Sequence, residues 1–246
     1  MPAALASYAD RPDLAGRVGE ISDPWPEFIH HANCNRLWHV MRDRFPQFQL
    51  VLYDDETEEL LGRGQTIPVR WHGRVDGLPG GVDDALEQGS ELGDGEANTL
   101  SAIVAVLDES AQGRGLSALL IDGMRAAAAA AGLHALIAPV RPTLKDRYPL
   151  TPIERYARWR RDDGSAFDPW IRVHERLGGE ILGIAEASMT VEGTVAEWEH
   201  WTEMRFPESG EYVLRQALVP IEIDRERDRG IYVEPNVWMR HSPRGA

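Results

Sequence analysis

Apolar positions recur along this chain with two different periods, and the change from one to the other marks out its elements. Residues 28–45, FIHHANCNRLWHVMRDRF, return Ile29, Ala32, Leu37, Val40, Met41 and Phe45 near helical spacing, which predicts an amphipathic helix. QFQLVLYDDETEELLGRGQTIPVRW then reads as a strand over 47–53, a polar turn through 54–59 and a strand over 60–71. The run 100–107 is almost unbroken apolar sequence, the pattern of a strand buried on both faces. After it, Leu116, Leu119, Leu120 and Gly123 share one face of a helix that an alanine run extends to a stop at Gly132. A second buried strand over 133–140 completes a strand–helix–strand unit suited to a parallel crossover.

The flanking segments are less regular. Residues 73–96 are rich in glycine, and from Asp76 to Glu96 they carry seven carboxylates with no Lys or Arg. They predict a mobile loop with one helical turn near 82–88. Residues 141–161 are basic, aromatic and proline-punctuated, with a helix predicted over 152–160. DPWIRVHERLGGEILGIA follows as helix, glycine turn and strand, and strands around 212–223 and 231–239 flank the turn DRERDRG. No repeat or clean linker divides the chain. It reads as one elaborated domain over 1–246, with a core over about 28–187 and a C-terminal β extension over about 188–241.

Composition narrows the function classes. A net charge of −14 argues against nucleic acid and anionic membranes as partners and favours a cationic substrate. No apolar run is long enough to span a bilayer, and the N-terminus lacks the pattern of a secretion signal. The single Cys34 excludes an internal disulfide, so a reducing, cytoplasmic protein is expected. His30 and Cys34 stand four apart but lack a second ligand pair, so no metal site is expected. The tryptophan-rich WEHWTEMRF and EPNVWMRH suit core strands or a subunit interface, which leaves room for a homodimer.

ESAQGRGLSALLIDG carries the candidate chemistry. Amides freed at a helix N-terminus attract an anion, and glycine lets it approach closely. The nucleotide P-loop string is absent. A dinucleotide fingerprint is met literally by Gly113, Gly115 and Ala118. Five residues separate it from the strand, however, and LIAPVRP offers no acidic residue for a ribose. An NAD(P)-binding oxidoreductase is therefore the weaker alternative.

Gln112-Gly113-Arg114-Gly115-Leu116-Ser117 resembles the Arg/Gln-x-x-Gly-x-Gly/Ala loop of the GCN5-related N-acetyltransferase superfamily, with Ser117 in place of the last Gly or Ala. The resemblance extends, element by element, over residues 47–185. It implies an α/β (α+β) fold of the acyl-coenzyme A N-acyltransferase type, a mixed central sheet flanked by helices. It implies acyl-coenzyme A, acetyl foremost, as cosubstrate and a small-molecule amine or amino acid as acceptor. Amides of Gln112, Gly113, Arg114, Gly115, Leu116, Ser117 and Ala118 would hold the pyrophosphate, and backbone near Val106 and Leu107 would polarise the thioester. Where relatives place a general-acid tyrosine in the late helix, this chain has His174, whose imidazolium could protonate a thiolate. Tyr148 is a rival donor. Arg141 and Lys145, with Tyr148, are expected to line the acceptor cleft, which would then suit a carboxylate or phosphate beside the amine. The general base is unassigned among Asp108, Glu109, Glu203, Glu234 and His200. The alternative within the family is a relative that binds the coenzyme without catalysing transfer.

Overall fold

In the computed structural model, which describes residues 3–93 and 95–243, the chain begins with β1 (Ala3–Ser7), α1 (Pro12–Ala15) and α2 (Trp38–Arg44). Then come β2 (Leu50–Asp54), β3 (Leu60–Val69), α3 (Val82–Glu91), β4 (Thr99–Leu107), α4 (Ser117–Ala130) and β5 (Leu136–Val140). The second half holds α5 (Ile153–Tyr156), α6 (Pro169–Arg176), β6 (Glu180–Gly193), α7 (Val195–Thr202), β7 (Gly210–Tyr212), β8 (Ile221–Asp224) and β9 (Arg229–His241). Among the described residues no helix is long and apolar enough to cross a membrane.

The strands form one mixed sheet in the order β1-β2-β3-β4-β5-β9-β8-β7, with β6 also paired to β9. Only β4 and β5 run parallel among the described pairs, joined through α4 as a parallel pair requires. Their ladder lasts two residues, Leu100 with Leu136 and Ser101 with Ile137, after which the strands part. On one face, α4 lays Ile121, Met124 and Ala128 against Leu50, Leu100 and Leu136, and α6 adds Trp170 and Val173. On the other, Val40 and Met41 of α2, Ala85 and Leu86 of α3, and Trp198 of α7 pack on Ile67, Val69, Ile137 and Trp238.

A bulge in β4 bears directly on the gap. Gln65 pairs with Val104 and Thr66 with Ala102, so Ile103 is the extra residue. Ala102 and Ala105 consequently face α4, while Ile103 and Val104 both face the opposite side. The bulge leaves Ile103 unpaired where β5 has already peeled away.

Several expectations need correction. The helix expected over 28–45 is two 3-10 segments, Glu27–His31 and Asn33–Leu37, followed by the short α2. Ala32 is extended and bridges Val191 of β6, and the Asn35 amide donates to the carbonyls of Ile29 and His30. Sheet contact thus overrides helical periodicity. The helical turn expected near 82–88 is a longer helix: α3 buries Val82, Ala85, Leu86 and Gly89 at i, i+3, i+4 and i+7, a helical stripe hidden by acidic composition. The expected face of α4 shifts, since Leu119 is exposed and Ile121 and Met124 are buried. The basic segment keeps only the four-residue α5 of its expected helix. The C-terminal strands are integral: β6 runs through the expected boundary at 187/188, and β9 pairs with β5, β6 and β8. β1 and α7 went unpredicted, although Thr194 and Glu197 form a reciprocal capping box that opens α7.

Candidate active site

The glycine loop owes its shape to backbone conformation. Gly113 and Gly115 have φ of +73° and +74°, and nothing lies within 4 Å of a Cβ built on either. Left-handed geometry, and not crowding, is what favours glycine there. Among the described residues the amides of Gly113, Arg114, Gly115 and Leu116 donate to no backbone carbonyl, and no side chain caps α4. An alanine-rich helix of 14 residues thus presents uncapped donors and its positive dipole end to solvent beside the gap.

A cavity of about 490 Å³ leads from this loop into the β4–β5 gap. Its walls are residues 102–107 of β4, Leu120, Ile121 and Met124 of α4, residues 138–140 of β5 with Arg141 just beyond it, and Trp170 and His174 of α6, with Gln112, Gly113 and Ser117 at the loop end. This is an apolar slot ending in backbone donors. It suits a long flexible arm that terminates in a diphosphate.

A second cavity of about 330 Å³ opens on the opposite face of the sheet. Trp25, Trp38, Ile29 and Met189 give it apolar walls, and Asp23, His30, Arg63, Arg141, Glu234 and Asn236 give it polar ones. Both cavities are bordered by Trp25, Ile103, Val104, Pro139 and Arg141, so they meet at the bulge and the parting strands.

Arg141 is positioned at this junction by charge. Its Nε lies 3.0 Å from each carboxylate oxygen of Glu234, and Nη2 donates to the Gln216 carbonyl at 2.6 Å. The guanidinium sits 5.4 Å from the centre of the Trp25 ring. Burial opposes its charge, but Glu234, with Tyr232 and Asp146, more than offsets that and raises its pKa. Glu234 also accepts from the Tyr232 hydroxyl at 2.8 Å and from Asn236 at 3.3 Å. With its oxygens so engaged, Glu234 is an anchor for Arg141.

His174 lines the first cavity, but as a neutral ring. Burial above all, and then the neighbouring His241, push its pKa down to about 3. Its Nδ1 lies 2.8 Å from Nε2 of His241, and the Trp170 ring stands edge-on at 4.6 Å. Burial, with Arg125 close by, lowers His241 to about 4. The expected imidazolium is thus not the form this site holds at neutral pH.

Tyr148 and Lys145 lie elsewhere. Tyr148 lines neither cavity; its half-exposed ring packs edge-on against Trp159 at 4.9 Å and near Tyr156 and Phe167. Lys145 is fully buried, and Nζ donates to the carbonyls of Tyr148 at 2.9 Å and Leu218 at 2.6 Å. Desolvation pulls its pKa down to about 8, against a raising influence from Glu154. It is a clamp between loops, because two carbonyls offer a buried ammonium the partners an open cleft would not. Asp168 docks the same segment: it caps α6 through Trp170 and Ile171 and accepts from Leu144 and the Tyr156 hydroxyl.

Of the other base candidates, Asp108 accepts from Ser22 and Ser110, which hold its carboxyl at about 2. His200 and Glu203 lie in and just beyond exposed turns of α7 and line neither cavity, and Glu109 lines neither. Reading the sequence missed Asp23, Trp25, Trp38, Arg63 and Asn236 on the second cavity. The aromatic WPEF and LWHV stretches were visible, but no local pattern joins residues from three distant segments.

No protein-family model matches the sequence. The arginine N-acetyltransferase avaD of Aspergillus versicolor is 31% identical over 271 residues, covering 96% of this chain and 93% of that protein. Among solved structures, the loading GNATL domain of CurA from Lyngbya majuscula superposes with a TM-score of 0.63 at 14% identity, covering 100% of both chains. The GphF GNAT-like decarboxylase in complex with isobutyryl-CoA gives 0.56 at 15% identity, over 99% of this chain and 100% of that one. These two share the fold. Together with the parting strands and the glycine loop, the relationship over nearly the whole length places the chain in the GCN5-related N-acetyltransferase superfamily, as an acyl-coenzyme A-dependent N-acyltransferase.

Proposed function

We propose that the protein transfers an acetyl group from acetyl-coenzyme A to the amine of a small molecule, an amino acid foremost. The observation that carries this reading is the meeting of two cavities, one from each face of the sheet, at the β4 bulge. Amides of residues 112–118, with the exposed Arg114, hold the diphosphate. The backbone of Val106 and Leu107 lies along the arm, and the freed backbone at Ile103 faces the thioester carbonyl. The amine enters from the second cavity. The ammonium first releases one proton to solvent; the neutral nitrogen then bonds to the carbonyl carbon as the carbon–sulfur bond breaks, and its second proton is lost as the thiolate gains one. His174 acts in neutral form, as a hydrogen-bond donor on the coenzyme side. The excess of carboxylates in the chain draws a cationic amine towards the enzyme. The naming of avaD as an arginine N-acetyltransferase supports an amino-acid acceptor.

The test is thiol release from acetyl-coenzyme A against a panel of amino acids, polyamines and arylalkylamines. Acceptor-dependent release with a mass gain of one acetyl group is expected. Tight coenzyme binding with no release across the panel would overturn the reading in favour of a non-catalytic binder.

A further inference from the structure

The second cavity holds two guanidinium groups in different electrostatic states. Arg141 is neutralised by Glu234, whose carboxylate is itself almost wholly buried. Arg63 lines the same cavity and, among the described residues, has no ion pair. Its one hydrogen bond runs from Nη1 to the Val18 carbonyl at 3.2 Å, and its Nε is buried without a partner. A half-buried cation without a counter-charge is unusual in a chain whose carboxylates outnumber its cations by 40 to 26. The cavity's own carboxylates do not serve it. Glu234 is taken by Arg141, and Asp23 accepts from the Trp25 amide and faces His30 at 3.7 Å.

The sheet fixes where this charge stands relative to the junction. Arg63 is directly opposite Val106 in the β3–β4 ladder. Val104, which borders both cavities, is therefore its diagonal neighbour, about 7 Å away. An acceptor whose amine reaches the junction at Val104 brings any group one or two bonds from that amine within reach of the Arg63 guanidinium. The planar fork of arginine pairs best with a carboxylate.

Resting on the acetyl-transfer reading for its reaction, we infer that Arg63 is a specificity-determining residue that binds a carboxylate of the acceptor, so that the enzyme acts on amino acids in preference to the corresponding simple amines. Trp25, Trp38, Ile29 and Met189 then enclose the acceptor's side chain.

The experiment sets each L-amino acid beside its carboxamide and its decarboxylated amine, starting with L-arginine, L-argininamide and agmatine, at saturating acetyl-coenzyme A. The acid is expected to exceed both analogues at least tenfold in kcat/KM, expressed in KM. Arg63→Met should raise KM for the acid tenfold or more with kcat little changed and KM for the amine unmoved, while Arg63→Lys recovers part of the loss. Analogues that react as well as the acid would overturn the inference. So would an Arg63→Met that weakens acid and amine equally, the outcome of a merely structural role through Val18. Should no amine react at all, the acetyl-transfer reading fails, and calorimetric titration of the same compounds into the coenzyme A-loaded protein decides Arg63 separately. Acid-selective binding that Arg63→Met removes supports it, and binding indifferent to the carboxylate, or absent, overturns it.

Discussion

The two sides of the β4–β5 gap are built from different materials. The α4 side offers main chain: two left-handed glycines, uncapped amides and an apolar slot. The other side offers side chains contributed by the segment around Trp25, by β3, and by β5 and β9. Backbone donors bind whatever carries a diphosphate, and they tolerate replacement of most neighbouring side chains. In the proposed acceptor cavity, side-chain charges would select among acceptors, so changes there are expected to alter specificity or stability. On the proposed reading, one side of the molecule is generic to coenzyme use, and the other is particular to this chain.

The sharpest way to break that contrast is at Gly115. Gly115→Glu should lower coenzyme A affinity by more than a hundredfold in calorimetric titration, because it sets bulk and negative charge against the diphosphate site. Gly115→Ala separates the causes: with open space around the Cβ, it should show only the strain of a left-handed alanine, about 1 kcal/mol in a urea melt. Equal loss of binding in both variants would show that the loop's conformation, and not its openness, governs affinity.

On the acceptor side the largest expected effect is on stability. Glu234→Met leaves the Arg141 guanidinium buried without its counter-charge, a cost of about 3–5 kcal/mol, readable as a drop in unfolding midpoint. The double variant Arg141→Met/Glu234→Met should recover most of it. If the double variant is no better than the single, the pair does more than neutralise itself.

The histidine pair behind the coenzyme cavity predicts an acid limb. Both rings have folded-state pKa values, about 3 and about 4, below the ordinary 6.5, so the unfolded chain binds more protons in between. The stability that depends on neutral rings is complete above about pH 6.5 and falls as pH drops towards 4, at about 1.4 kcal/mol per unit per group. Denaturant melts between pH 7 and 4 check this, and in His174→Phe the limb should be shallower. An unchanged slope would contradict the buried, neutral assignment. The smallest effect belongs to Tyr148→Phe: with its ring in the aromatic cluster outside both cavities, kcat should change less than twofold. A tenfold fall would return Tyr148 to the proton-donor role expected from sequence.

The same contrast explains how far the site could be read without coordinates. The loop at residues 112–118 is contiguous, and glycine at positive φ leaves a mark in the sequence that little else imitates. The proposed acceptor cavity is assembled from segments as far apart as Asp23 and Asn236, with no local signature. Lys145 shows the error this invites: a basic residue following a buried strand resembles a site-lining group, yet burial and two carbonyls make it a clamp. His174 shows another, since position in the late helix was legible but its protonation was not. That depended on His241, 67 residues away on β9.

Local chemistry alone determined the buried strands β4 and β5, the helix between them, the glycine turn that opens it and the resulting family resemblance, because each is encoded by periodicity or backbone preference within a dozen residues. Tertiary structure alone decided the insertion of β9 beside β5, the break in the expected helix at Ala32, the extent of α3, and which guanidinium in the acceptor cavity keeps an open charge. Those outcomes depend on pairing, burial and counter-charges between residues far apart in the chain, quantities that a linear pattern does not carry.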